Sequence, residues 1–157
     1  MLKLTITVKG KKQLNEAMLA ACREIADRIY SEAQFNLTGK EWAGWGVNGA
    51  YSSNITDTGE LVATGSVEPT RTGAKVQFNA PYASDVEYGI APGGHGPPVE
   101  VLAQWCQRKL GLKKDEALGV AFAIKKTIAA EGTTARPFLR SALYDVVAKY
   151  KNKKLKA

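Results

Sequence analysis

Hydrophobic and polar positions change their period several times along the chain, and each change marks an element. Leu2, Leu4, Ile6 and Val8 alternate with Lys3, Thr5, Thr7 and Lys9. That period of two predicts a strand over 2–9 with one face on a core. Past Gly10 the spacing becomes three and four. Leu14, Met18, Ala21, Ile25 and Ile29 predict an amphipathic helix reaching about Phe35, with Glu16, Arg23, Glu24, Asp27, Arg28 and Glu32 on its other faces.

Residues 36–58 keep no period and predict a long loop, with four glycines among Trp42, Trp45 and Tyr51. Connections of this length inside a domain tend to be functional or disordered. Two readings stand side by side: an arm that orders against a partner, or a loop that folds its tryptophans onto its own domain. Next comes a predicted hairpin. Leu61, Ala63 and Val67 line its first strand, with Gly65 at a bulge, and Ala74, Val76 and Phe78 line the second. Thr70-Arg71-Thr72-Gly73 supplies the turn. Pro81 ends the strand, and Tyr82 to Tyr88 fit one or two helical turns.

Three helices close the chain. The first begins at Pro97 or Pro98, carries Leu102, Trp105, Cys106 and Leu110, and stops at Gly111. Asp115 is the expected N-cap of the second, with Ala117, Val120, Ala121, Ile124 and Ile128 inward and Gly132 past its end. Pro137 starts the third, striped by Phe138, Leu139, Ala142, Leu143, Val146 and Tyr150. The expected fold class is α+β: a small, mostly antiparallel sheet from residues 2–9, 61–68 and 74–80 plus a strand from the central loop, packed by the long N-terminal helix, with three further helices at the C-terminus. Residues 1–148 read as one domain and 149–157 as a basic tail.

Composition sharpens this picture in two places. With 157 residues and 45% apolar content the chain can bury a real core. Its formal net charge of +7 is unevenly placed: residues 1–100 hold 9 Lys+Arg against 11 Asp+Glu, a net of −2, and residues 101–157 hold 13 against 4, a net of +9. Lys149, Lys151, Lys153, Lys154 and Lys156 crowd the last nine positions. Such a tail can neutralise phosphates in a salt-dependent way, offset a helix dipole, or dock on an acidic patch of another subunit.

Apolar runs are too short for a membrane span, and no N-terminal stretch reads as a secretory signal. Asn36-Leu37-Thr38 and Asn54-Ile55-Thr56 therefore match the glycosylation sequon by chance. One histidine and two cysteines exclude a multi-Cys/His zinc site, and Cys22 and Cys106 fall at helical apolar positions as buried thiols.

Catalytic constellations are sparse. His95 lies in Pro92-Gly93-Gly94-His95-Gly96-Pro97-Pro98, exposed and poorly held for a general base. Gly93-Gly94-His95-Gly96 lacks the Lys-Ser/Thr ending of a phosphate loop. Asp85 and Glu87 are two apart, on different faces of a helix. No enzyme, cofactor or metal site is expected.

Three signatures, in order and spacing, bring the chain close to one family. They are Thr58-Gly59-Glu60-Leu61, then Pro81-Tyr82-Ala83-Ser84-Asp85-Val86-Glu87-Tyr88-Gly89, then Ala135-Arg136-Pro137-Phe138-Leu139-Arg140-Ser141-Ala142-Leu143. With them the chain resembles, over about residues 10–148, the minor tail-component or neck proteins of long-tailed bacteriophages. Val62, Thr64, Ile90 and Ser141 depart from the family's usual Arg, Ser, Thr and Pro. The resemblance implies a structural virion protein of the tail or neck, made in the bacterial host cytoplasm. It also implies a ring, expected to be hexameric, joining the DNA-filled head to the tail. Its partners would be other copies of itself and the neighbouring head-completion or connector and tail proteins, with no membrane involved.

The −2/+9 split supplies unlike patches for such a ring. Trp42, Trp45, Tyr51, Lys149, Lys151, Lys153 and Lys154 are the expected interface residues. The alternative is a basic DNA-contacting protein of the portal or tail channel, touching the genome without sequence preference.

Overall fold

A computed structural model describes residues 1–7, 16–45, 51–53 and 57–154, with side chains placed except at 43–45, 51–53 and 152–154. The class is α+β: among the described residues there are a three-stranded antiparallel sheet, a separate two-stranded one and six helices. Contacts divide the chain into two compact units, Met1–Glu87 with Arg136–Ala157, and Tyr88–Ala135, where one domain over 1–148 was expected.

In the first unit, β1 (Leu2–Thr7), β4 (Gly65–Thr70) and β5 (Gly73–Phe78) pair in the order β1-β5-β4. The predicted alternation of β1 is real: Leu2 is buried, Leu4 and Ile6 are half-buried, and Lys3, Thr5 and Thr7 are exposed. Ala74, Val76 and Phe78 of β5 are wholly buried, as the central position of the strand demands. Gly73 has no substitute there. A Cβ would come within 1.8 Å of the Ile6 carbonyl oxygen, so only hydrogen lets β1 close onto β5.

The helix α1 (Glu16–Thr38) buries Cys22, Ala26, Ile29, Ala33, Asn36 and Leu37. The predicted stripe is therefore displaced: Ala21 is exposed, and the small residues Cys22, Ala26 and Ala33 make the contact face. Val8, Gly10 and Leu14 lie outside the described residues. The last helix of the chain, α6 (Phe138–Lys154), runs against α1, and Phe138, Leu139, Ala142 and Val146 join one core with Ile29, Leu37, Val76 and Phe78. Phe138 meets Phe78 edge-on at 5.0 Å between ring centres, an arrangement that aromatic quadrupoles favour.

Two predicted features of this unit are corrected. Residues 61–63, the start of the strand predicted over 61–68, belong instead to a helical turn, α2 (Glu60–Ala63). Gly59, at φ 80°, turns the chain into it, and the Ala63 and Thr64 amides donate to the Gly59 and Glu60 carbonyls. Alternation of Leu61, Ala63 and Val67 imitated a strand because a single turn is too short to show a helical period. β4 then starts at Gly65 and pairs with β5 without a bulge, with Gly65 opposite Phe78 and Thr70 opposite Gly73. Gly65 is small because the Phe78 and Tyr30 rings would each lie 2.7 Å from a Cβ.

The second correction concerns 36–58. Asn36–Thr38 complete α1, and β2 (Trp42–Trp45) pairs with β3 (Tyr51–Ser53) as a hairpin. This pair forms its own sheet instead of adding a strand to the main one. Closing a short local loop costs less entropy than reaching the sheet.

The second unit is a helical hairpin: α4 (Val99–Leu110) and α5 (Lys114–Glu131), preceded by the Gly/Pro segment. Gly111 caps α4 as predicted. Lys113, not Asp115, is the N-cap of α5, and its amide donates to Glu116 Oε2 at 3.2 Å. Asp115 sits instead in the first turn, where its charge favours the helix dipole. Ala117, Ala121 and Ile128 are buried as expected, but Leu110 and Val120 are 52% and 36% exposed, since a two-helix seam leaves both flanks uncovered. Ile90 and Thr133 form an antiparallel bridge that ties the ends of the unit. Gly132 (φ 77°) makes room for it, because a Cβ would stand 2.2 Å from the Ile90 carbonyl oxygen.

Candidate functional site

The three signatures meet in one joint of the first unit. Within the first, Leu61 enters the core and the Glu60 carboxylate reaches Tyr82 of the second, whose hydroxyl donates to Oε2 at 3.3 Å. Burial, with the Glu60 charge next in weight, pushes the Tyr82 phenol up to about 12. Thr64 adds a second tie: its Oγ1 accepts from the Ala80 amide at 3.1 Å and donates to the Leu61 carbonyl.

The second and third signatures are clamped more tightly. The helix α3 (Ala83–Tyr88) carries Glu87, whose side chain is fully buried. Its Oε2 accepts from the Leu139 amide at 2.9 Å, and its Oε1 accepts from the Arg140 amide at 3.0 Å and from Arg140 Nε at 2.9 Å. Arg140 Nη2 also donates to the Glu87 carbonyl oxygen. A carboxylate held this way satisfies the open amides of the α6 N-terminus and complements its dipole. The Arg136 amide donates to the Val86 carbonyl at 2.8 Å, completing the clamp. Burial lowers the Arg136 guanidinium below its ordinary value.

Asp85, two residues before Glu87, is exposed, so the two carboxylates do serve different faces. The sequence showed that they are not paired but gave no sign that Glu87 is a helix cap. Its partners lie more than fifty positions away.

Of the expected interface residues, Trp42, Lys149 and Lys151 have described side chains. Trp42 is half-buried: its indole N–H donates to the Asn36 carbonyl at 2.9 Å, and Lys40 Nζ lies 4.3 Å from its ring centre. It packs against its own core, so the folding-back reading holds for Trp42. Trp45 and Tyr51 face each other in the β2–β3 register, and their side chains lie outside the described residues. Lys149 Nζ stands 3.2 Å from Glu32 of α1 in the same chain. One part of the acidic-to-basic attraction is thus spent within the protomer. Lys151 is exposed, Lys153 and Lys154 extend α6 as backbone, and Lys156 lies outside the described residues. The first four lysines therefore continue a helix instead of forming a tail.

Between α1 and α6 lies a shallow cavity of about 290 Å³, lined by Arg28, Ser31, Glu32, Val146, Lys149 and Tyr150. Its cations are already engaged. Arg28 Nη2 pairs with Glu24 at 2.7 Å and the guanidinium stacks over Tyr150 at 5.6 Å, while Lys149 holds Glu32.

His95 is exposed, but its segment is tied down: the Gly93 amide donates to the Ala129 carbonyl at 2.7 Å, and Gly96 lies against Ile128. Cys22 and Cys106 are buried thiols. Among the described residues, no three His, Cys, Asp or Glu side chains gather as metal ligands, and no helix is long and apolar enough to cross a membrane.

Sequence reasoning missed one surface. Leu118 and Phe122 of α5 are 44% and 59% exposed, flanking the buried stripe of Ala117, Ala121 and Ile128. Their spacing of four, offset from the buried stripe, was the available signal. Compared with models of known protein families, with curated proteins and with solved structures, the chain matches none.

Proposed function

We propose that the chain is a structural subunit of the head–tail junction of a long-tailed phage, assembling as a ring that joins the filled head to the tail. One observation carries the reading. Residues of all three signatures fasten one another: Glu60 to Tyr82, Glu87 to Leu139 and Arg140, and Arg136 to Val86. Motifs whose residues form the joints of a scaffold suit a protein selected for shape and assembly. The α+β class of the chain, with its small antiparallel sheet and long helix, is compatible with such a scaffold. A ring of identical subunits closes by heterologous contacts, which unlike surfaces supply.

Electron microscopy of particles assembled without the protein tests the proposal. DNA-filled heads beside unattached tails are expected; particles with heads and tails joined as usual would overturn it. A gel shift covers the DNA-contacting alternative. A junction subunit gives weak binding that moderate salt removes, and salt-resistant complexes would favour the alternative.

A further inference from the structure

The outward stripe of α5 is chemically self-complementary. Asp115, Leu118, Phe122 and Lys125 follow one another at spacings of three, four and three, which puts all four on one helical face. All four are exposed. The flank of α5 beside this stripe, through Ala121 and Ile124, packs on α4 with Val99, Leu102 and Ala103. Among the described residues, neither Asp115 nor Lys125 makes an ion pair within the chain.

Read in either direction, the stripe is a charge, two large apolar residues and a charge, with the end charges opposite in sign. An antiparallel copy in which Leu118 faces Phe122 of its partner therefore sets Asp115 against the partner's Lys125 and Lys125 against the partner's Asp115. No shift of register is needed, because one alignment satisfies all four positions. A parallel copy would oppose like charges at both ends. Gly119, beside the apolar pair, has open space around it and leaves the approach clear.

We propose that α5 pairs antiparallel with α5 of a second copy about a twofold axis, covering Leu118 and Phe122 and closing two Asp115–Lys125 ion pairs. The occupant is a second copy because the charges complement those of the same helix reversed. This contact goes beyond the ring reading: it is isologous, whereas a ring closes through heterologous contacts, so each can fail without the other.

Sedimentation of the full chain across a range of concentrations tests it by charge reversal. Asp115→Lys alone and Lys125→Asp alone each create two like-charge contacts, and each should weaken self-association at least about tenfold. An equimolar mixture of the two single variants restores opposite charges at both ends and should associate like the native chain. The double variant Asp115→Lys/Lys125→Asp should do the same. Phe122→Ser, on an exposed position, should abolish the association while leaving helix content unchanged.

A native chain that stays monomeric at the highest attainable concentration would overturn the inference. So would single variants that associate as tightly as the native chain, or a mixture no tighter than either variant alone. Rings that form while the native chain shows no charge-dependent pairing would sink the α5 contact and leave the ring reading intact. Charge-dependent pairs without rings would do the reverse.

Discussion

The two units bury different kinds of residue. In Met1–Glu87 with Arg136–Ala157, Phe78, Phe138, Ile29 and Val76 are completely covered. In Tyr88–Ala135 the residues with no exposure are Cys106, Ala117 and Ala121, while Val101, Leu110, Leu118 and Phe122 are 44–59% exposed. Hydrophobic stabilisation follows the apolar area removed from water, about 25 cal/mol per Å². Large aromatics and branched chains covered completely in the first unit remove more of it than a two-helix seam whose larger buried residues are Val99, Leu102 and Ile128. Small units seldom build a sufficient core alone and draw on association or other ties. The second unit has the Ile90–Thr133 bridge as a tie and a self-complementary apolar stripe on its outside.

The largest break in this contrast should come from the first unit's core. Phe138→Ala removes the ring that meets Phe78 and leaves a cavity; a loss of about 3–5 kcal/mol is expected in chemical denaturation. A loss below about 1 kcal/mol would mean that this core is not tightly packed. Next comes the clamp. Glu87→Ala strips the α6 N-terminus and Arg140 of their buried acceptor and should cost about 2–3 kcal/mol. The loss should vary little with salt, because Glu87 is shielded from solvent; a strongly salt-dependent loss would mark the pair as a surface contact. The smallest effect has the opposite sign. Gly119→Ala, inside α5 with nothing within 4 Å of a Cβ, should stabilise the second unit by about 0.5–1 kcal/mol. A loss there would show that something occupies that space.

Alkaline titration adds a check on the joint. The Tyr82 phenol is raised in the folded protein from 10.0 to about 12, so folding favours its neutral form. Its contribution is present below the unfolded value and is lost as pH climbs through the folded one. Stability should therefore fall between pH 10 and 12, and less steeply in Tyr82→Phe. Equal slopes would remove Tyr82 from the joint.

Periodic elements were legible in the sequence wherever one face met one core. β1, β5, the stripe of α6 and the glycine stops after α4 and α5 follow from spacing and from the conformations glycine allows. Elements too short to repeat their period clearly were not legible. α2 has four residues, and β2 and β3 have four and three, too few for alternation to separate strand from turn or loop. Pairings distant in sequence were hidden as well. Glu87 looked like one of two surface carboxylates, and only the approach of α6 makes it a cap. The charge split pointed outward to other subunits, yet Glu32 and Lys149 meet inside one chain. Composition cannot tell whether unlike charges are partners within a protomer or between protomers.

What completes each unit can be read most directly by native-state hydrogen exchange over a range of protein concentrations. Amides of β5 and α6, closed by the chain's own core, should exchange slowly at rates that do not depend on concentration. Amides of α5 should exchange faster in dilute solution and slow as copies meet. Protection of α5 that equals that of β5 in the dilute monomer, or that stays constant as concentration rises, would contradict the account.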